Sequence, residues 1–97
     1  MENTVELYYS VRSSEDFIEL KRLKEIESKV KNFKLIPWDT QEKGYIKVNN
    51  IFQISRDLRN KEFYICGPKN LKKSITDGLL KEGVLEENIH QEEFNFK

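Results

Sequence analysis

Short apolar runs alternate with amphipathic stretches along this 97-residue chain. Four runs are rich in β-branched and aromatic side chains, as buried strands are. These predicted strands cover residues 5–11, 33–38, 62–66 and 89–94. Between the first two, apolar residues recur every three or four positions, which predicts one apolar face on an otherwise charged helix: Phe17, Leu20, Leu23, Ile26 and Val30.

Two further helices are predicted in the second half of the chain. Residues 39–50 have the composition of a loop, and 51–59 form a short helix with Ile51, Ile54 and Leu58 facing inward. A longer helix begins at Pro68, whose fixed φ suits a first helical turn, and ends at Gly83. Its inward face carries Leu71, Ile75 and Leu79.

This order of elements predicts an α/β fold with three layers, a mostly parallel sheet of about four strands and flanking helices. Strands joined by long helical connections run parallel, and such connections place helices on the sheet faces. We predict a single domain over residues 1–97. Ligands of open α/β sheets bind beyond the carboxyl ends of the strands. The candidate chemistry therefore lies in the stretches that follow three of the strands: SVRSS, PWDTQEKG and CGPKN.

Composition argues against nucleic-acid binding, membrane contact and metal binding. Seventeen basic and seventeen acidic residues cancel, so no net field attracts nucleic acid or an anionic membrane. A single cysteine and the lack of a long apolar stretch favour a reducing, cytoplasmic location without membrane contact. Four glutamates near the C-terminus lack His or Cys partners at metal-ligand spacing, so we predict no metal site: Glu86, Glu87, Glu92 and Glu93.

Two segments carry a family resemblance. YYSVRSSEDFIELKRL, followed by EFYICGPKNLKKSITDGLLKEGVLEENIHQEEF, resembles the second half of the NAD(P)-binding domain of the ferredoxin-NADP reductase superfamily. Members are flavin-dependent NAD(P)H oxidoreductases that include ferric reductases and reductase components of oxygenases. The resemblance covers residues 5–96 and is weakest across 39–60. Its specific part is the ordered set of Cys-Gly-Pro after a strand, KEGV after a helix, and IHQEEF near the end.

The resemblance implies a role for each residue of the Cys-Gly-Pro turn. Cys66 would lie beside the nicotinamide and position it, while Gly67 would let the backbone approach closely. Pro68 begins a helix whose free N–H groups and dipole suit a diphosphate. On residue type alone, Cys66 is more often a small buried apolar side chain than a functional thiol, and both interpretations stay open.

The same resemblance implies contacts in two other segments. Ser10, Arg12 and Ser13 match the segment that meets the adenosine ribose, where a guanidinium binds a 2′-phosphate in bidentate fashion. Glu92 and Phe94 match an acidic residue and an aromatic residue near the flavin and nicotinamide.

Two residues have opposite effects on the predicted coenzyme preference. The carboxylate of Asp39 would repel a 2′-phosphate but accept a hydrogen bond from a free ribose, which favours NADH. Arg12 favours NADPH. We predict NADH or NADPH as the coenzyme, with NADH preferred.

One departure from the family limits the expected activity. Family domains begin with a strand and a Gly-rich turn, and that strand lies between the first and third strands predicted here. The chain has four glycines and no Gly-rich loop. We therefore expect a Rossmann-like domain lacking its first β-α unit, a part of a longer or split enzyme. FAD is expected in the parent protein, on a flavin domain in cis or in trans, and the isolated chain is expected to be inactive.

The missing strand also raises alternatives to redox function. The predicted strands at Val5 and Phe63 would have unpaired edges, which can pair with one another or with a second copy in a homodimer. One alternative function is therefore a non-catalytic α/β module that binds partners through its sheet edges. A second is a regulatory domain for another nucleotide. Trp38 and Tyr45 could flank an adenine ring, but aromatic residues near a loop more often cover the core, and we prefer that interpretation. His90 is interpreted as a structural residue.

Overall fold

The computed structural model describes residues 4–11 and 20–92, with Glu92 described in its backbone only. Four strands, four α-helices and a short 3-10 helix, Glu86–Asn88, lie within these residues. The strands are β1 (Thr4–Val11), β2 (Phe33–Asp39), β3 (Lys61–Cys66) and β4 (Ile89–Glu92). The helices are α1 (Leu20–Lys29), α2 (Thr40–Lys43), α3 (Val48–Ser55) and α4 (Lys69–Lys81).

All three strand pairings are parallel, and the strand order is β2-β1-β3-β4. This confirms the predicted α/β fold with a four-stranded sheet and flanking helices. Strand β1 lies between β2 and β3 and is buried from Glu6 to Ser10. The central strand is thus inaccessible to solvent on both faces, as its apolar sequence predicts.

Helices cover both faces of the sheet. Because side chains alternate along a strand, the two faces of β1 belong to different clusters. Tyr8 packs with Phe63, Ile65 and the inward residues of α3 and α4. Leu7 and Tyr9 pack on the other face with Leu35, Cys66 and the partly buried Leu20 and Leu23 of α1. The three predicted layers are therefore present.

Two local predictions differ from the structure. The predicted loop over residues 39–50 contains the single turn α2 and the start of α3 at Val48. The predicted apolar face of α1 is buried only in part, because Ile26 and Val30 are 38% and 47% exposed. Residue Phe17, predicted on the same face, lies outside the described residues.

The edges of β1 and β3, for which the sequence analysis predicted no neighbouring strand, pair with each other. Strand β1 pairs directly with β3 from Thr4↔Lys61 to Tyr9↔Cys66, where the resemblance implied an additional strand between them. Strands β2 and β4 form its outer edges. On β2, the Leu35 amide donates to Glu27 Oε2 of α1 at 2.6 Å, which satisfies a donor at this edge.

A buried polar cluster joins β1, β3 and α3 on the α3/α4 face of the sheet. The carboxylate of Glu6 accepts hydrogen bonds from Tyr8 Oη at 2.7 Å and from Ser55 Oγ at 3.3 Å. Lys61 Nζ lies 3.0 Å from Glu6 Oε2 and donates to the Ser55 carbonyl at 2.6 Å. Both carboxylate oxygens of a side chain that is 2% exposed therefore have partners.

This environment raises the pKa of Tyr8 far above its ordinary value of 10, mainly through burial and also through its hydrogen bond to the Glu6 carboxylate. The folded protein keeps this phenol proton above pH 10, whereas the unfolded chain loses it. The contribution of Tyr8 to the free energy of unfolding is therefore complete below pH 10. Above pH 10 it decreases by about 1.4 kcal/mol per pH unit.

We predict that Tyr8→Phe removes this alkaline loss of stability. The free energy of unfolding, measured with urea between pH 8 and 11, should fall less steeply above pH 10 in the variant than in the wild type. All other residues are the same in the two proteins, so the comparison isolates the effect of Tyr8. Parallel curves for the two proteins would show that Tyr8 titrates alike in the folded and unfolded states.

Candidate functional site at the carboxyl edge of the sheet

The carboxyl ends of all four strands lie along one edge of the sheet. Val11, the last residue of β1, is opposite Asp39 of β2, and Tyr9 is opposite Cys66 of β3. Cys66 is in turn opposite Glu92 of β4. The structure therefore brings together the ends of the strands from which the three predicted ligand-contacting segments begin.

Gly67, which follows β3, lies close to Ser10 at the end of β1. A Cβ added at this position would lie 3.3 Å from Ser10 Cβ and 3.4 Å from the Ser10 carbonyl oxygen. It would also lie 3.0 Å from Cδ2 of Leu71 in α4. A side chain here would be tightly packed and would require its neighbours to shift by a few tenths of an ångström, so the corner between β1 and α4 favours glycine. This contact is between Gly67 and β1, whereas the close approach of Gly67 to a nicotinamide stays a prediction.

Helix α4 begins at this corner. Pro68 is its N-cap, with φ −60° and ψ 151°, and provides no side-chain hydrogen bond to the helix start. The first amides of a helix lack intrahelical acceptors, and here they belong to Lys69, Asn70 and Leu71. The first turn contains no acidic residue. The N-terminal amides and dipole of α4 are thus suited to an external anion.

Ser10 contributes a buried polar atom beside the same corner. Its residue is 4% exposed, and its Oγ has no hydrogen-bond partner in the part of the chain that the structure describes. Leaving a buried hydroxyl without a partner costs about 1–3 kcal/mol. Such a group is unusual in a folded protein and is a candidate ligand contact.

Cys66 occupies a different environment from Ser10. Its side chain is 6% exposed and belongs to the cluster formed with Leu7, Tyr9 and Leu35 on the α1 face. The cysteine does not form a disulfide. The structure therefore places the thiol within the apolar core, while the backbone turns at Gly67 toward the carboxyl edge.

Asp39 has a structural role that the sequence analysis missed. Its Oδ1 accepts hydrogen bonds from the amides of Gln41 at 2.9 Å and Glu42 at 3.3 Å, which caps α2. Thr40 Oγ1 donates to the Val11 carbonyl at 3.1 Å and attaches α2 to the end of β1. An Asp followed by a polar turn is the signal that could have revealed this cap.

The sequence analysis also missed an interaction between Trp38 and Lys43 at this edge. Trp38 Nε1 donates to the Gly44 carbonyl at 2.8 Å, and Lys43 Nζ lies 5.1 Å from the centre of the indole ring. The interaction holds α2 over the end of β2. Tyr45, interpreted from the sequence as a residue that covers the core, is 74% exposed instead.

Several predicted site residues cannot be placed. Arg12, Ser13 and Phe94 lie outside the described residues, as does the side chain of Glu92. Val11, which precedes Arg12 in the sequence, lies at the carboxyl edge, and the predicted role of Arg12 stays a prediction.

His90 has structural contacts, as the sequence analysis expected. Its Nε2 lies 3.0 Å from Glu62 Oε1, and its ring stacks on Tyr64 with centroids 4.3 Å apart. Across residues 4–11 and 20–92, no three His, Cys, Asp or Glu side chains are arranged to hold a metal ion. No described helix is long and apolar enough to cross a membrane.

The sequence profile of one family, the oxidoreductase NAD-binding domain, matches residues 1–77. This chain belongs to that family. Among solved structures, the fold is similar to that of the cytochrome P450 reductase GcoB from Amycolatopsis, with a TM-score of 0.67 and 22% sequence identity. The similarity covers 94% of this chain and 29% of the reductase chain. No curated protein matches this sequence.

Family membership confirms the resemblance inferred from the sequence. The structural match confirms the α/β fold. The chain spans less than a third of the matched reductase. The individual ligand contacts predicted from the resemblance stay predictions.

Asp39→Ala should destabilise the folded protein by about 1 kcal/mol, because α2 loses its N-cap acceptor. Asp39→Asn retains a side-chain oxygen in the same place and should cost a few tenths of that amount. Urea unfolding of the two variants measures the difference. Equal losses for Ala and Asn would show that the carboxylate charge, rather than the capping hydrogen bonds, stabilises this turn.

Proposed function

We propose that this domain holds the nicotinamide nucleotide of a flavin-dependent NAD(P)H oxidoreductase. The parent enzyme passes electrons from NAD(P)H through flavin to an acceptor such as an iron–sulfur centre or ferric iron. The flavin belongs to a separate domain, in cis or in trans, and the isolated chain is inactive in this reaction. We further propose a cytoplasmic location.

The observation that carries the proposal is the corner where Ser10, Gly67 and the start of α4 meet. It combines a close backbone approach, exposed helix amides and a buried hydroxyl without a described partner. It lies at the carboxyl edge, where ligands of parallel sheets bind. These features fit a phosphorylated nucleotide.

The chain's residues would bind and orient the coenzyme. The coenzyme supplies the hydride chemistry when bound, and the protein supplies its position and electrostatic surroundings. The amides at the start of α4 would hold its phosphates, and the turn at Gly67 would place the nicotinamide near the backbone of Cys66. Glu92, opposite Cys66 on β4, and the following Phe94 would approach the nicotinamide and flavin from the neighbouring strand.

Asp39 supports a preference for NADH. Its capping hydrogen bonds both end on Oδ1, so the carboxylate stays at the carboxyl edge with Oδ2 available to a ribose hydroxyl. A negative charge at this place would disfavour a 2′-phosphate. Arg12, which follows Val11 at the same edge, would offset part of this effect in NADPH.

The non-catalytic interaction module is less well supported than the redox domain. Its partner-binding edges were those of β1 and β3, and these strands pair with each other. A homodimer would have to use the outer edges of β2 and β4, and on β2 the Leu35 amide is already bonded to Glu27.

Calorimetric titration tests the proposed coenzyme. The chain should bind both NADH and NADPH, with NADH bound more tightly. Arg12→Ala should weaken NADPH by about tenfold, the effect of one charged hydrogen bond, and NADH by less.

Arg59→Ala is the matched control, because it removes the same charge from the opposite end of the sheet, where Arg59 pairs with Asp57 at 3.1 Å. It should leave both affinities unchanged. Equal losses of NADH and NADPH in Arg12→Ala would remove Arg12 from the 2′-phosphate role. Absence of binding by either coenzyme would overturn the proposed function.

A further inference from the structure

A surface cleft of about 330 Å³ lies at the amino edge of the sheet, opposite the edge where the coenzyme is proposed to bind. Residues 58–60, which precede β3, form one wall, and residues 82–85 together with Asn88, which connect α4 to β4, form the other. Its volume is within the range of small-ligand pockets, about 300–1,000 Å³. The function proposed above does not use this cleft.

The cleft has an apolar surface. Leu58 and Val84 line it and are partly buried against the hydrophobic core, so their positions are fixed by packing. Leu85 lines it too, yet is 59% exposed, more than any other large aliphatic side chain of the described residues. A ligand with an apolar group would remove part of this surface from water, which favours binding.

The charged side chains at the cleft leave one negative charge without a counterion. The Arg59 guanidinium is already bound to the Asp57 carboxylate, through Nε and Nη2 at 3.1 Å each, so these two charges compensate each other. Glu82 is exposed at the cleft, and its carboxylate has no hydrogen bond or ion pair with any described residue. The charge available to a ligand is therefore that of Glu82.

The end of α4 adds to this negative potential. Glu82 is the C-cap of the helix, and Gly83, with φ 92°, turns the chain so that the Val84 amide donates to the Leu79 carbonyl at 3.0 Å. The carbonyl groups and dipole at a helix C-terminus attract cations. Lys81 is the basic residue of the last turn and is not part of the cleft wall. A cation in the cleft would thus meet both the carboxylate and the helix end.

We propose that this cleft binds a small organic ammonium ion with an aliphatic body. The ammonium group pairs with the Glu82 carboxylate at the end of α4, and the aliphatic body lies against Leu58, Val84 and Leu85. A neutral molecule of the same shape gains only the apolar contact, and a carboxylate is repelled by Glu82. The site does not depend on the proposed coenzyme, because it lies at the other edge of the sheet.

Three probes with the same aliphatic body and different charges test the site: isopentylammonium, isopentanol and isovalerate. In a nuclear magnetic resonance titration at neutral pH, the amides of Gly83 and Asn88 and the methyl groups of Leu85 report on the cleft. Isopentylammonium should bind about fivefold more tightly than isopentanol, the effect of one solvent-exposed ion pair, and isovalerate should bind least. Equal affinities for the ammonium and the alcohol, or no shift of these signals with the ammonium, would overturn the proposal.

Glu82→Gln tests the carboxylate. It should lower the affinity for isopentylammonium to that for isopentanol and leave the isopentanol affinity unchanged. Glu87→Gln is the matched control, because it removes the same charge from an exposed residue of the neighbouring 3-10 helix that does not line the cleft. It should weaken the ammonium by at most about twofold, since solvent screens a more distant charge. Equal losses in the two variants would contradict the pairing with Glu82.

Leu85→Ala tests the apolar contact. It should weaken isopentylammonium and isopentanol by the same factor, because both lose the same aliphatic surface. Unchanged affinities would place the aliphatic body outside the cleft and overturn the proposal. All three substitutions are at exposed positions and should leave the unfolding temperature close to that of the wild type. Ammonium binding by a chain that binds neither NADH nor NADPH would overturn the proposed function but leave this inference in place.

Discussion

The direct pairing of β1 with β3 is the constraint on which this structure depends. It makes one continuous sheet of four strands and buries β1 between two neighbours. It also brings Ser10 to Gly67, so that two strand ends and the start of α4 share one corner. Unpaired strand edges are costly and prone to association, and within the described chain this pairing removes two of them. Fold and candidate site therefore have a common physical origin.

The buried polar cluster explains how this pairing is specified. Apolar contacts alone tolerate shifts in position, whereas hydrogen bonds do not. Glu6 of β1, Lys61 of β3 and Ser55 of α3 are bonded to one another at distances of 2.8–3.3 Å. Slipping β3 along β1 would separate the ion pair, and breaking a buried pair costs about 3–5 kcal/mol. The cluster lies toward the amino ends of β1 and β3, so it fixes their register without occupying the carboxyl edge.

Sequence patterns predicted the strands, the long helices and the parallel sheet because these features follow from hydrophobic periodicity. They did not predict α2, since a single turn is too short to show a period and depends on the Asp39 cap. They overestimated the burial of Ile26 and Val30, because periodicity shows which face of a helix is apolar but not how far the sheet beneath it extends. The resemblance located the carboxyl edge and the Cys-Gly-Pro turn. The contact of Ser10 with Gly67 was beyond prediction, because it depends on which strands become neighbours.

The most direct test is to observe the β1–β3 ladder in solution. Nuclear Overhauser effects should connect backbone protons of β1 and β3 in the register from Thr4↔Lys61 to Tyr9↔Cys66. A sample that mixes isotope-labelled and unlabelled chains separates contacts within one chain from contacts between two. The account predicts that the whole set arises within a single chain. Contacts between chains, or none between these two strands, would contradict it.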